Sequence, residues 1–313
     1  MVEEAQPQLI VSVLVVSYNC AAALRRCVQA LERSSARETT EIVVVDNGSR
    51  DESGRIDQEF PDLTVLRLPR NFGLTQARNI GARTAKGRFL FFLEPDIEVE
   101  PDTVAALTAK LEADPAAALV CPLLVEPGGR PVSRIGPLPS PADLYRAWAR
   151  GDWWSRPLPN TEVVPPAALD AGEIATGCAD PRAMLVRSQF LRGMNYFDAK
   201  YGQFGSNLQL FAQIRTAGKK IVLLPAVKAI SHEGEGLWRP EGAAARADLC
   251  ADYAAGMIRY AKYYGWPAWI GFRLKALAGA LLRAVTFRDP GLHFGVFARV
   301  LSGAKIDGSQ AGL

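Results

Sequence analysis

The sequence predicts an α/β protein: a mostly parallel central sheet flanked by helices, followed by a C-terminal helical extension. Three observations carry this. Short apolar runs at Leu9–Val16, Glu41–Val45 and Arg88–Leu93 read as buried strands. Between them lie segments with apolar positions at helical spacing, Leu24, Cys27, Val28 and Leu31 in the first and Leu74, Ala77, Ile80 and Gly81 in the second. Each apolar run also stops abruptly in polar turn residues: Ser17-Tyr18-Asn19, Asp46-Asn47-Gly48-Ser49 and Glu94-Pro95-Asp96. Strand, helix, strand in that order implies right-handed crossovers and parallel pairing, which gathers the three turns at one sheet edge.

The elements follow in order. Asn19 is placed to cap the first helix. Val65–Leu68 reads as a third strand, leading through Pro69–Gly73 into the helix that carries Arg78 and Asn79. Gly81 costs that helix about 1 kcal/mol relative to alanine, which close packing on the sheet would explain. Pro101 opens a helix through Leu111 that stops at Asp114-Pro115, and Ala118–Val125 is a further strand. From Glu126 to Ala167 the chain is rich in Pro and Gly, with Tyr145, Trp148, Trp153 and Trp154, and reads as a long flap whose aromatics either stack on a ligand or anchor the loop. A strand over Ala183–Val186, a loop over Asn195–Gly205, a helix from Ser206 to Ala217 and a strand over Lys220–Pro225 complete the sheet region. Ala243–Tyr264 and Trp269–Phe287 are helical, the second with Arg273, Lys275 and Arg283 among apolar residues, a pattern that suits either a membrane surface or packing on the body.

Composition narrows the class. At 313 residues, with 49% hydrophobic and 22% charged residues, the chain is an ordered globular protein, and a net charge of +3 with no dense Lys/Arg block argues against nucleic acid as a partner. Five scattered cysteines lack metal-ligand spacing and read as reduced, mostly buried side chains of a cytoplasmic protein. The residues MVEEAQPQ lack a signal peptide's basic region and apolar core, and no run reaches the roughly 18 apolar residues of a membrane span.

The carboxyl edge of such a sheet is where ligands bind. Glu94 and Asp96, held apart by a proline, suit a divalent cation gripping a phosphorylated substrate; a polar turn after a core strand is the bland reading. With VVSYN at 15–19, VVVDNGSRD at 43–51, NFGLTQARNIGARTAKG at 71–87 and FFLEPDIEV at 91–99, the chain resembles glycosyltransferase family 2, inverting enzymes with the GT-A fold, and within it the bacterial rhamnosyltransferase-like branch of cell-surface polysaccharide synthesis. The resemblance runs over about residues 9–264 and is most specific in the first hundred.

What the resemblance implies is a nucleotide-diphospho-sugar donor, a glycan or lipid-linked acceptor, and Mn²⁺ or Mg²⁺ as cofactor. Tyr18, Asn19, Asp46, Asn47, Arg78 and Glu94 fall at donor-binding positions, and Asp96 and His232 at metal positions; His232 reads equally as an ordinary loop residue. Residues 1–240 would form the GT-A domain with a flap at about 126–170, residues 241–303 a helical extension in peripheral contact with the inner face of the cytoplasmic membrane, and 304–313 a tail. One departure stands out. Where the family carries its acceptor-side acidic motif, this chain has Ser206-Asn207-Leu208-Gln209, so the position implied for the catalytic base is Asn207, and an amide cannot take a proton near neutral pH. Asp198, Asp180, Glu233 or Glu235 could serve instead, the acceptor could be intrinsically nucleophilic, or the protein could be an inactive relative that binds sugar nucleotide or glycan as a scaffold.

Overall fold

Strand β1 (Val11–Ser17) is buried along nearly its whole length because it lies in the middle of the sheet and is covered on both faces, which is why its sequence is a continuous apolar run without alternation. The computed structural model describes residues 9–150, 159–232, 242–285 and 290–302. After β1 come helix α1 (Ala21–Glu32), β2 (Thr40–Asp46), β3 (Thr64–Arg67), α2 (Leu74–Thr84) and β4 (Phe89–Leu93). β2 and β4 pair with β1 on either side, both parallel, and β3 pairs parallel with β2.

The second half of the sheet mixes directions. It contains β5 (Ile97–Val99), β6 (Ala117–Val125) after α3 (Thr103–Ala113), β9 (Ile174–Thr176), β10 (Ala183–Arg187) and β11 (Lys220–Ser231). The strand order is β3-β2-β1-β4-β10-β6-β11-β5, with β9 also on β11. β10 runs antiparallel between β4 and β6, whereas β11 is parallel to β6. A two-stranded ribbon, β7 (Arg134–Ile135) with β8 (Glu162–Val163), lies outside this sheet.

Several expectations shift by a few residues, for identifiable reasons. The last strand does not stop at Pro225: its register breaks between Leu224 and Lys228, around a proline that has no N–H to donate, and then resumes to Ser231. The helix expected to open at Pro101 begins at Thr103, because the Pro101 carbonyl accepts from Ser35 N–H. Asn19 does not cap α1. It sits at φ 50°, and the helix's amino end is satisfied from the loop after β2: Cys20 N–H donates to Ser53 Oγ and Ala21 N–H to Asp51 Oδ2.

The long insert is structured rather than a plain loop. Its helix α4 (Pro141–Arg150) buries Leu144 and Trp148 in the same core as the carboxyl-terminal helices α7 (Gly242–Ala261), α8 (Trp266–Val285) and α9 (Pro290–Ser302). Trp148 lies against Gly279, where an added Cβ would approach the indole to 3.1 Å, and the Arg283 guanidinium stacks over its ring at 5.7 Å. Trp148 is therefore an anchor, while Trp153 and Trp154 lie outside the described residues. All five cysteines are buried and outside any disulfide. Replacing Trp148 by alanine is expected to cost about 3–5 kcal/mol of stability, read as a lowered midpoint in urea unfolding.

Candidate functional site

Because β1 lies between β2 and β4, the carboxyl ends of all three open on one edge. Ser17 pairs with Asp46, and Val15 with Leu93, so Asp46 and the 94–96 turn are level and two strand spacings apart, roughly 10 Å. Asp46 is buried, its Oδ1 accepting from Ser49 N–H, and Gly54 lies so close to its Oδ2 that a Cβ there would come within 3.1 Å. Tyr18 is half-buried and Asn19 exposed, with its Oδ1 accepting from Arg50 N–H. Asn47 acts as a structural tie: its amide donates to Asn71 Oδ1 and accepts from Phe72 N–H, fixing the turn into α2.

Arg78 is the centre of the other half. Although charged, it is only 3% exposed. Nη1 donates to Asn207 Oδ1 at 2.7 Å, and Nη2 donates to the Pro181 carbonyl at 3.3 Å and lies 3.8 Å from Glu94 Oε1. Its guanidinium also sits 5.7 Å over the Phe92 ring. Burial pulls its pKa down and Glu94 pushes it back up. One side chain thus joins α2, the end of β4, the turn before β10 and the start of α6 (Ser206–Thr216).

Glu94 feels the opposite forces. Burial, and then the neighbouring Asp96, push its carboxyl upward, while Arg78 and Arg182 pull it down. Arg182, absent from the residues expected at the site, is brought there by antiparallel pairing: Glu94 N–H donates to its carbonyl. Its guanidinium grips Asp180 through two bonds of 2.9 Å and donates to Ser231 Oγ. The Asp-Pro-Arg triplet at the mouth of a strand was the signal available for it.

Asp96 is 2% exposed, and its carbonyl accepts from His232 N–H. The His232 imidazole faces Glu98, with Nε2 2.8 Å from Oε1, so the histidine adjoins Asp96 through backbone while its ring lies beside another carboxylate. Among the described residues no group of three or more His, Cys, Asp or Glu side chains is assembled to hold a metal. Glu94 and Asp96 nonetheless fit a hard divalent ion: they offer oxygen donors at one strand end, and Asp96 adds to burial in pushing the Glu94 carboxyl upward, a repulsion that a cation would relieve.

At the start of α6, Asn207 is half-buried beside Arg78, and Gln209 Oε1 accepts from Asp198 N–H. Asp198 is 35% exposed, 3.7 Å from Arg259. Glu233 and Glu235 lie outside the described residues. The loop before α6 is scaffolded by Asp252 of α7, a buried carboxylate accepting from Gln203 and Phe204 N–H. Gly202 must be glycine, since a Cβ would fall 1.9 Å from Asp252 Oδ1, and its carbonyl accepts from Thr75 N–H and Oγ1 on α2. A 340 Å³ hollow lined by Phe211, Arg215 and Lys219 lies at the amino end of β11, away from these groups.

This fold and edge define a GT-A-like protein. Residues 12–154 match the family model for glycosyl transferase family 2. It is 35% identical over 104 residues to glycosyltransferase GlyA of Streptococcus pneumoniae, 32% of this chain and 15% of that protein. The chain spans 15% to 35% of the length of the four relatives matched over this amino-terminal stretch. Over a longer span it is 22% identical to the N-acetylglucosaminyl-diphospho-decaprenol L-rhamnosyltransferase of Mycobacterium tuberculosis, covering 82% of this chain and 86% of that one. Among solved structures it is similar in fold to the mannosyltransferase PcManGT of Pyrobaculum calidifontis, solved with GDP-Man and Mn²⁺, with a TM-score of 0.53 at 19% identity over 96% of this chain and 77% of that one.

Asp252 yields a pH dependence. Burial, opposed by its two backbone bonds, raises its carboxyl from 3.8 to about 7. Between those values the folded chain holds a proton that the unfolded chain has lost, so this group's contribution to stability falls as pH rises, by at most about 1.4 kcal/mol per pH unit. Asp252→Asn is expected to flatten that slope in melting curves recorded from pH 4 to 7.

Proposed function

We propose that the protein is an inverting glycosyltransferase that moves a sugar from a nucleotide-diphospho-sugar to a glycan or lipid-linked acceptor. The observation that carries this reading is the level placement of Asp46 and the Glu94/Asp96 pair on one sheet edge, with Arg78 and Arg182 beside the pair. Asp46, in its glycine-lined recess, would face the nucleotide. Glu94 and Asp96 would hold Mn²⁺ or Mg²⁺, which when bound neutralises charge on the leaving diphosphate. The rhamnosyltransferase-like branch is supported by the mycobacterial relative, whose match extends past the donor half into the helical region. A cytoplasmic setting is in keeping with five cysteines outside any disulfide.

The acceptor hydroxyl attacks the anomeric carbon from the face opposite the diphosphate. A carbon–oxygen bond forms as the bond to the leaving phosphate breaks, and that bond's electrons depart with the nucleoside diphosphate. The acceptor's proton needs a base, and Asn207 cannot be it: its oxygen already accepts from Arg78, and an amide does not protonate near neutrality. Asp198 fits the role better, being partly exposed and tied by its backbone to Gln209. Arg78 serves as a positioning residue that fixes α6 against β4.

Incubation with a panel of nucleotide sugars, Mn²⁺ or Mg²⁺ and lipid-linked acceptors, read by product mass spectrometry, tests the activity; no transfer and no donor hydrolysis across the panel would sink it. Asp96→Asn is expected to weaken Mn²⁺-dependent binding of nucleoside diphosphate by roughly tenfold or more, measured by calorimetry. Asp198→Asn is expected to lower turnover by roughly 10²- to 10⁴-fold with nucleotide affinity unchanged.

The amide at 207 favours a second reading, in which the protein binds sugar nucleotide or glycan without turnover, as a scaffold. It is separated by Asn207→Asp: an active enzyme keeps or gains transfer, whereas under the scaffold reading nucleotide binds yet neither the wild type nor the variant forms product.

A further inference from the structure

Helix α8 has one face inside the protein and one that no described residue covers. Phe272, Ala276, Ala280 and Ala284 are buried at four-residue intervals. On the outward side Trp266, Ile270, Leu274, Leu281 and Val285 are exposed, Trp266 by 72% and Leu274 by 61%. Their spacings of four and seven residues put them on a single stripe along the helix axis. Soluble surfaces scatter apolar residues singly, and a continuous stripe of this kind marks a contact.

Cations border the stripe. Arg273 lies to one side, donating to the Leu301 carbonyl of α9, and Lys275 to the other, its ammonium 4.8 Å over the Tyr145 ring. Lys262, just before the helix, sits 5.1 Å over Trp269. The charge is regional as well as local. Residues 253–302 contain seven Lys and Arg against the single acidic residue Asp289, so this stretch carries +6 while the rest of the chain carries −3 of the overall +3. Among the described residues no helix is long and apolar enough to cross a membrane.

We infer that the outer face of α8 is a docking surface for an anionic lipid bilayer, lying in the plane of the interface with Trp266 and the leucine stripe in the acyl boundary and Arg273 and Lys275 at headgroup level. Both requirements of such binding are met on one element: apolar area to bury, and basic side chains beside it at a position to meet acidic headgroups. A second copy of the chain is the poorer occupant, because a self-complementary contact would bring the Arg273 and Lys275 cations of two copies together. This inference is independent of the catalytic reading, since neither the stripe nor its cations belong to the site at the sheet edge.

Sedimentation of the full chain with phosphatidylcholine vesicles, with and without one third phosphatidylglycerol, tests it. Binding is expected to the anionic vesicles, to weaken with added salt, and to be slight on the neutral ones. Leu274→Gln with Leu281→Gln, both at exposed positions, should reduce binding to anionic vesicles by roughly tenfold or more with melting temperature unchanged. Arg273→Gln with Lys275→Gln should give a similar loss and remove most of the preference for phosphatidylglycerol, at roughly fivefold per charge. Failure to bind anionic vesicles at low salt, or binding that ignores both pairs of substitutions, overturns the proposal. So does light scattering that shows a dimer dissolved by Leu274→Gln in a protein that leaves vesicles unbound.

Discussion

The buried guanidinium of Arg78 is the constraint around which the site is organised. Taking a cation out of water costs several kcal/mol unless its donors are met, and here they are met from three separate elements: Asn207 on α6, the Pro181 carbonyl ahead of β10 and, at longer range, Glu94 after β4. None of these partners is near Arg78 in sequence. Breaking any one leaves a desolvated charge less well compensated, so the charge couples the placement of α2, α6 and the strand ends. A carboxylate at position 207 would neutralise Arg78 more fully; the amide found there leaves more of its field for Glu94.

The two halves of the site are held by different chemistry. The amino-terminal half is a web of short polar bonds in which the 46–53 loop satisfies the first N–H groups of α1 and Asn47 locks the entry to α2. The half around the start of α6 depends on one buried acid, Asp252, which gathers the backbone of Gln203 and Phe204 while Gly202 reaches α2. That acid belongs to α7, so the carboxyl-terminal helices shape the loop before α6 even though they lie outside the sheet. Their other neighbour, α4, closes the same core through Trp148, Gly279 and Arg283. The helical region therefore both supports the site and presents a basic apolar face outward.

Much of the fold was legible in the chain. Continuous apolar runs located β1, β2, β4 and β6 to within a residue or two, because strands covered on both faces show no alternation to confuse with other patterns. The turn residues after them correctly marked the edge that carries Asp46, Glu94 and Asp96. Less legible were β5, a three-residue strand that exists through pairing with β11, and α4, whose Pro-rich surroundings read as a flap. Local propensity says little about segments whose stability comes from distant partners.

By itself the sequence determined the alternation of strand and helix, the parallel first half of the sheet and the acidic turns at its carboxyl edge, because each is a property of local composition or periodicity. Only the tertiary structure decided that Arg78 would be buried and bonded to Asn207, that Arg182 would enter through antiparallel pairing, that Asn47 would be a tie and that Asp252 would brace the loop before α6. Those outcomes depend on which groups meet after long-range closure, where burial strengthens each charge's demand for a partner, and no local pattern in the chain encodes that meeting.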